Sequence, residues 1–195
     1  MRIAIAVFDG FEELDAIGPW EVLSYWAREV ASEPVDVSAV APGLDPVRAA
    51  KGLRVIPDTT VAELGSVDVI LVPGGIGTRS LLAPDEPLHD VLRTLAAAGT
   101  LVTSVCTGSL VLAAAGLLRD RPATTHWNYL DLLASLDPTI DVRREERFVD
   151  DGNVVTAAGV SAGIDMALHL LVRLDSVQAA QRVRRAIQYD PQPPV

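Results

Sequence analysis

Apolar and polar positions along this chain fall into blocks that predict strands and helices in alternation. Short apolar and β-branched runs predict buried strands at 2–7, 35–40, 67–72 and 100–105. Helical periodicity predicts helices at 12–30, 86–98, 109–115, 128–135, 162–173 and 176–187. Turn residues predict a small β excursion over 47–56 and a hairpin of 141–149 with 153–156 around Asp150-Asp151-Gly152-Asn153.

Two segments need a closer prediction. The first helix carries an apolar stripe, and Pro19 is either its first residue or a kink inside a longer helix. The stripe consists of Leu14, Ile17, Val22, Leu23 and Trp26. The tail over 189–195 is rich in proline, so we expect it to run along the surface.

The alternation of strands and helices predicts an α/β fold with a mostly parallel sheet and helices on both faces. A length of 195 residues fits one domain spanning 1–195, and no repeat or linker divides it. Ligands of such sheets bind outside the carboxyl ends of the strands. Asp15, Gly74-Gly75 and Cys106 each follow a predicted strand, so we expect them to meet at one edge.

Cys106 is the only cysteine, and it lies where a β-branched strand turns into a helix of small apolar residues. This position is typical of a nucleophile elbow, in which a strained turn exposes a reactive side chain. Amides at the start of the following helix would favour a thiolate and hold an oxyanion. The alternative is a packed core cysteine, since free cysteines are among the most buried residues.

Composition excludes several classes of function. Apolar residues make up 49% of the chain, enough for a large core. The net charge of −10, from 16 basic and 26 acidic residues, argues against nucleic acid and anionic membranes as partners. No signal peptide or transmembrane run is recognisable, and a single cysteine fits the reducing cytoplasm. No metal-ligand spacing and no dinucleotide-binding fingerprint is present, so we expect neither metal nor cofactor.

Several landmarks together resemble the ThiJ/PfpI superfamily over nearly the whole chain. They are Glu12-Glu13-Leu14-Asp15 after the first strand, Val72-Pro73-Gly74-Gly75, the Cys106 elbow, and Ala123-Thr124-Thr125-His126-Trp127. Within the superfamily, three stretches are most similar to the isocyanide (isonitrile) hydratase subgroup. They are Leu14-Asp15-Ala16-Ile17-Gly18-Pro19, residues 103–112 around Cys106, and Ala158-Gly159-Val160-Ser161-Ala162-Gly163-Ile164-Asp165.

The resemblance implies a flavodoxin-like three-layer sandwich and a homodimer whose interface lies near the active site. It implies Cys106 as the nucleophile and Asp15, where many members carry glutamate, as the general acid and base. Without the resemblance, Asp15 reads equally well as a helix-start carboxylate. Backbone amides of Gly75 and Thr107 are candidates for an oxyanion hole, and the Thr107 hydroxyl for a substrate hydrogen bond. The alternative for the glycines is a simple turn.

The substrate pocket is the least constrained part of the site. We expect it to be lined by Ile17, Gly18, Gly74, Ile76, His126, Trp127 and Val160. His126 has two interpretations, a base near the cysteine or a residue that orients a loop.

The expected activity is hydration of a small organic isocyanide to an N-substituted formamide, through a thioimidate on Cys106 and without a cofactor. One alternative is a glyoxalase-like or amidase-like activity of the same cysteine. A second is a redox sensor or regulatory domain in which Cys106 is oxidised reversibly.

Overall fold

The computed structural model of the protein describes residues 1–191. Strands and short β segments occur at β1 (Arg2–Ala6), β2 (Asp36–Ala41), β3 (Val47–Arg48), β4 (Arg54–Val55), β5 (Thr59–Thr60), β6 (Val69–Val72), β7 (Leu101–Val105), β8 (Pro122–Ala123), β9 (Asp141–Val142), β10 (Phe148–Asp150) and β11 (Val154–Ala157). The helices are α1 (Glu13–Glu29), α2 (Pro87–Ala97), α3 (Gly108–Ala114), α4 (Leu130–Leu136), α5 (Ala162–Leu174) and α6 (Val177–Ala186). Short 3₁₀ segments lie at Val61–Glu63, Ile76–Leu82 and Trp127–Tyr129.

A seven-stranded sheet forms the centre of the molecule, in the order β10-β11-β7-β6-β1-β2-β5. All neighbouring strands pair in parallel except β10 and β11, which form an antiparallel hairpin at one edge. Helices α1, α5 and α6 pack on one another as one layer, and α2, α3 and α4 form a second. This arrangement confirms the predicted α/β sandwich with a mostly parallel sheet.

The central strands show why the sequence favours this architecture. Every residue of β6 and β7 is buried, as expected when helices cover both faces of a parallel sheet. Runs that do not alternate between apolar and polar positions, with Thr103 and Ser104 buried among apolar residues in β7, therefore lie in the middle of the sheet. The carboxyl ends of these strands open onto one edge, and the turns that follow them build the site described below.

One predicted strand is wrong over most of its length. Residues 141–149 do not form one continuous arm of a hairpin: Asp141–Val142 is extended, but it pairs in parallel with β8. The hairpin arm starts at Phe148. Residues 143–147 between them, Arg-Arg-Glu-Glu-Arg, are all exposed, because a charged stretch finds no place in the core.

The prediction that an apolar stripe of the first helix is buried is wrong for the first two residues of that stripe. Leu14 and Ile17 remain 38% and 37% exposed, whereas Val22, Leu23 and Trp26 are buried. The first turn instead turns Asp15 inward, and that carboxylate is completely buried. Pro19 lies inside α1, as the second of its two predicted placements required.

The C-terminal tail follows the surface of α5 as far as it is described. The Tyr189 hydroxyl donates to Asp165 Oδ1 at 2.8 Å. The remainder of the predicted tail, 192–195, lies outside the described residues. Among residues 1–191, no helix combines the length and apolar character that a membrane crossing requires. Within the same range, His, Cys, Asp and Glu side chains form no group of three suited to a metal ion.

Candidate active site

Cys106 occupies a sharp turn between β7 and α3. Its φ angle is 56°, in the left-handed region that residues other than glycine rarely adopt. Its N–H donates to the carbonyls of Ala157 at 3.1 Å and Ala158 at 2.9 Å. Its own carbonyl accepts from Thr125 Oγ1 at 2.8 Å and Ser109 Oγ at 3.1 Å. The elbow is therefore present, and hydrogen bonds on both sides of the residue hold its strained backbone.

Four neighbouring strands bring the site together. Asp15, Gly74, Cys106 and Val160 follow β1, β6, β7 and β11 in the chain, and these four strands are adjacent in the sheet. Their carboxyl ends point the same way because the strands are parallel. Residues that are far apart in sequence thus meet around the Cys106 sulfur.

Asp15 is fully buried beside this sulfur. Its Oδ2 accepts a hydrogen bond from Gly74 N–H at 2.9 Å. Its Oδ1 is buried and has no hydrogen-bond partner among the described residues. Burial, and next the charge of Glu12, raise the pKa of Asp15 to about 7, although the Gly74 N–H and the Cys106 side chain oppose the rise. Asp15 therefore keeps its proton up to about pH 7, well above the pH at which an exposed aspartate ionises.

The Cys106 thiol is harder to ionise than the sequence led us to expect. Burial, and next the charge of Asp15, raise the pKa of Cys106 to about 12. The N–H groups of Thr107 and Val160 and the Thr107 hydroxyl do lower it, as helix-start amides should. They are outweighed, so the expectation of a low-pKa cysteine is wrong for the unliganded site.

The two raised pKa values show that the protonation states of Asp15 and Cys106 are coupled. Between pH 7 and 12 the pair carries one proton, as thiol with carboxylate or as thiolate with carboxylic acid. Transfer of the proton from sulfur to Asp15 removes the like-charge repulsion that otherwise disfavours the thiolate. A reactive thiolate therefore comes paired with a protonated Asp15.

The Thr107 side chain belongs to a small network of hydroxyls and backbone groups. Gly75 N–H donates to Thr107 Oγ1 at 2.9 Å. The Thr78 hydroxyl donates to the Gly75 carbonyl at 2.8 Å, and its oxygen lies 3.1 Å from Thr107 Oγ1. Gly75 has a φ of 120°, a conformation that a side chain would make strained, so glycine is required at this turn.

This network changes the assignment of the oxyanion donors. The predicted Gly75 amide is already engaged by Thr107, and the Gly74 amide is engaged by Asp15. The N–H groups that act on the Cys106 sulfur belong to Thr107 and Val160. Val160, expected only as an apolar pocket residue, thus contributes its backbone, and its φ of 42° is again in the left-handed region.

The remaining predicted pocket residues differ in their exposure and in what they pack against. Ile76 and Trp127 are 55% and 75% exposed, so neither closes a pocket within the single chain. Ile17 lines a separate depression of about 190 Å³, on the opposite side of α1 from buried Asp15. Gly18 lets α1 approach α5, since a Cβ there would meet Ile164 Cγ1 at 3.0 Å. The role of Ile17 and Gly18 in lining the substrate pocket stays a prediction.

His126 supports a loop next to the sulfur. Its Nδ1 accepts from Asn128 N–H at 3.2 Å, and its ring lies against Gly159, where a Cβ would come within 2.5 Å of it. Partial burial lowers the pKa of His126, although the charge of Glu12 opposes this. These contacts favour the second interpretation, in which His126 orients the loop that presents Val160.

Glu12 places a negative charge at the mouth of the site. Its N–H donates to the Gly74 carbonyl at 2.8 Å, and its carboxylate pairs with Lys51. The same carboxylate raises the pKa of Asp15 and opposes the lowering of the pKa of His126. The entrance is therefore unfavourable to anionic groups.

Sequence reasoning missed Thr78, Thr125 and Glu12 as contributors to the site. Thr78 lies three residues after Gly75, the spacing at which a threonine hydroxyl can reach a preceding carbonyl. Thr125 lies within the motif that contains His126, but its bond to the Cys106 carbonyl follows only from the tertiary fold. Glu12 belongs to the Glu12-Glu13-Leu14-Asp15 motif, but the sequence gives no sign that its charge acts on Asp15.

A comparison with protein families agrees with this geometry. The profile of the DJ-1/PfpI family matches residues 1–173. The chain belongs to the DJ-1/PfpI family. The resemblance stated from the sequence is thereby confirmed.

Relatives within this family have diverse names. Isonitrile hydratase of Pseudomonas putida is 45% identical over 195 residues, which cover all of this chain and 81% of that protein. The HTH-type transcriptional regulator CdhR of Pseudomonas aeruginosa is 36% identical over 71% of this chain and 40% of its own length. A ThiJ/PfpI family protein from Pseudomonas syringae matches in structure, with a TM-score of 0.89 and 33% identity over the whole chain and 77% of that protein. The relatives that match this chain thus include an enzyme and a protein named as a transcriptional regulator.

Proposed function

We propose that this protein hydrates small organic isocyanides to N-substituted formamides, with Cys106 as nucleophile and Asp15 as acid and base. The single observation that carries the proposal is the coupled pair itself: a protonatable carboxyl with a free oxygen, buried beside the sulfur. The 45% identity of this protein to isonitrile hydratase of Pseudomonas putida, over the full length of the chain, supports the same reaction.

The position of Asp15 suits the chemistry of an isocyanide. The terminal carbon of R–N≡C accepts both a nucleophile and a proton, so the sulfur and the proton donor must lie on the same side of one atom. Asp15 beside Cys106 meets this requirement. An amide or ester substrate instead needs its proton at a leaving group beyond the carbonyl, and that role calls for a donor farther from the sulfur.

The reaction balances in three steps. The Cys106 thiolate bonds to the terminal carbon while Asp15 gives that carbon its proton, leaving the thioimidate R–N=CH–S–Cys and an Asp15 carboxylate. Asp15 then takes a proton from water as the hydroxide adds to the carbon, and passes a proton to nitrogen. Cleavage of the C–S bond returns the thiolate, releases R–NH–CHO, and gives the hydroxyl proton back to Asp15.

The surroundings of the pair define the substrate class. Thr107 and Val160 N–H groups stabilise charge at the sulfur, which is a thiolate before attack and again on release. Glu12 disfavours anionic substrates, and the exposed Ile76 and Trp127 offer apolar contacts at the entrance. We therefore propose a neutral isocyanide with an apolar substituent, acted on by a cytoplasmic homodimer without a metal or cofactor.

Turnover of a simple alkyl isocyanide tests the proposal directly. We expect the corresponding N-alkylformamide, with ¹⁸O from labelled water in its formyl group, and transient addition of the intact isocyanide mass to Cys106. Cys106→Ala should abolish turnover, and Asp15→Asn should reduce it by at least about a hundredfold, the usual contribution of a positioned acid and base.

Two results would contradict the proposal. One is formamide production that survives Cys106→Ala. The other is conversion of methylglyoxal to lactate with no turnover of isocyanides, which would assign the glyoxalase-like alternative instead.

A further inference from the structure

We propose that Arg147 is a positioning residue that clamps the loop of residues 158–161 against the backbone of Cys106. The inference rests on the proposed role of Cys106 as nucleophile. The loop joins β11 to α5, and no step of the hydration derived above uses Arg147.

Backbone hydrogen bonds connect Arg147 to Cys106 through a single residue. Ala158 N–H donates to the Arg147 carbonyl at 2.8 Å, and the Ala158 carbonyl accepts from Cys106 N–H at 2.9 Å. A left-handed residue such as Cys106, with a φ of 56°, keeps its conformation only when the surrounding structure holds it. The position of Arg147 therefore bears on the peptide group that holds Cys106.

The side chain of Arg147 holds the other end of the same loop. Its Nε donates to Asp165 Oδ2 at 2.6 Å, and its Nη2 donates to Ser161 Oγ at 3.3 Å. Ser161 is the last residue of the loop, and Asp165 lies in the first turn of α5. The planar guanidinium can serve both acceptors at once. Arg147 thus bonds to the first and the last residue of the loop and to the helix that follows it.

Asp165 is oriented towards Arg147 by the C-terminal segment. The Tyr189 hydroxyl donates to Asp165 Oδ1 at 2.8 Å, so Oδ2 is the oxygen that faces the guanidinium. Arg147 itself belongs to no helix or strand, because it lies between β9 and β10. Its position, and with it the position of the loop, therefore depends on these contacts.

Hydrogen exchange at the Cys106 amide in Arg147→Met tests the clamp. Methionine keeps an unbranched side chain and removes the guanidinium. We expect the Cys106 amide to exchange about two- to fivefold faster, a factor in keeping with the modest free energy of an exposed ion pair. The Val102 amide donates to the Asn153 carbonyl at 3.0 Å, at the opposite end of the same strand pair, and should exchange at the wild-type rate. NMR of the ¹⁵N-labelled protein measures both amides.

Turnover of an isocyanide gives a second measurement on the same variant. We expect kcat to fall by a similar factor while KM changes little, because the clamp acts on the backbone of the nucleophile. A loss of stability without positioning would instead accelerate exchange at both amides equally.

Two further variants separate the clamp from a general effect of charge. Arg144 lies in the same charged stretch and donates to Asp131 at 2.7 Å, and its side chain is 54% exposed, against 55% for Arg147. Arg144→Met should therefore leave exchange at Cys106 unchanged. On an Asp165→Asn background, Arg147→Met should have a much smaller effect than in the wild type, because the main acceptor of Arg147 has already lost its charge.

The proposal is overturned if Arg147→Met leaves exchange at Cys106 unchanged, if Arg144→Met has the same effect, or if the effects of Arg147→Met and Asp165→Asn simply add. Hydrogen exchange requires no turnover. A protein that leaves isocyanides unchanged while Arg147→Met still accelerates exchange at Cys106 would refute the proposed function and leave the clamp intact.

Discussion

Asp15 at the first turn of α1 makes the stability of the fold depend on pH. The folded state raises its pKa from 3.8 to about 7, chiefly through burial, so the folded protein binds this proton more tightly than the unfolded chain. The resulting stabilisation is complete below about pH 4 and is lost as the pH rises through 7. Integrated over that range, ionisation of Asp15 costs roughly 4 kcal/mol of folding free energy.

Replacement of Asp15 by asparagine should remove this cost. The amide oxygen can still accept from Gly74 N–H, but it carries no charge, so Asp15→Asn should be more stable than the wild type at pH 8. We expect a gain of roughly 2–4 kcal/mol, or about 5–10 °C in melting temperature for a chain of this size. At pH 4, where Asp15 is protonated, the two proteins should differ much less.

Thermal unfolding from pH 4 to 8 measures the difference. Asp45→Asn, at an exposed position, serves as the control and should follow the wild-type curve. Parallel curves for the wild type and Asp15→Asn would show that Asp15 does not titrate with a raised pKa.

At the scale of single residues, part of the candidate site could be predicted from residue type and position in the sequence. Cys106 and Asp15 could be predicted because a lone cysteine at a strand–helix turn and a carboxylate after a strand have recognisable positions. Thr78 could not, because a single threonine in a short 3₁₀ segment carries no pattern, and its partners come from residue 75 and residue 107. The pKa of Cys106 could not be predicted either, since burial and the Asp15 charge depend on neighbours distant in sequence.

The close approach of α3 to β6 fixes the elbow at the scale of elements. A Cβ on Gly108 would lie 2.1 Å from the carbonyl oxygen of Val72, the last residue of β6. Only glycine lets the helix start this near the strand, and the first turn of α3 positions the Thr107 amide. The approach of Gly108 to the Val72 carbonyl therefore positions both α3 and the turn at Cys106.

Gly108→Ala should push α3 away from β6. We expect a loss of about 1–3 kcal/mol or more in the free energy of unfolding, as for other overpacked sites. The rate of Cys106 alkylation should change as well, because the Thr107 amide that acts on the sulfur moves with the helix. Urea denaturation and iodoacetamide labelling measure the two effects.

Gly43→Ala is the matched control, since a Cβ at Gly43 meets nothing within 4 Å and its φ is not in the left-handed region. That variant should keep wild-type stability and reactivity. If Gly108→Ala behaved like Gly43→Ala, the contact between α3 and β6 would not be what holds the elbow.

Periodicity predicted the elements well where burial is uniform and poorly where it is not. β6 and β7 could be predicted from short apolar and β-branched runs, because both faces of these strands are covered. The start of α1 was misjudged, because Leu14 and Ile17 fit a helical stripe while the fold turns Asp15 inward. Residues 143–147 were misjudged as strand although their charges keep them exposed.

At the scale of the whole molecule, the net charge of this protein argues against one function that is named among its relatives. A charge of −10 opposes contact with phosphates, whereas some relatives are named as transcriptional regulators. We predict no mobility shift of a duplex DNA fragment by micromolar protein, even at low salt where electrostatic attraction is strongest. A salt-sensitive shift would instead favour a regulatory function.

The sequence by itself determined the α/β class, the edge of the sheet at which the candidate site lies, and the cysteine and carboxylate that meet there. It could do so because apolar runs define strands, and parallel strands carry the turns that follow them to one edge. The tertiary structure alone decided that Gly75 N–H donates to Thr107, that Val160 N–H acts on the sulfur, and that burial raises the pKa values of both Asp15 and Cys106. These facts depend on burial and on distances between four strands, which no local pattern along the chain encodes.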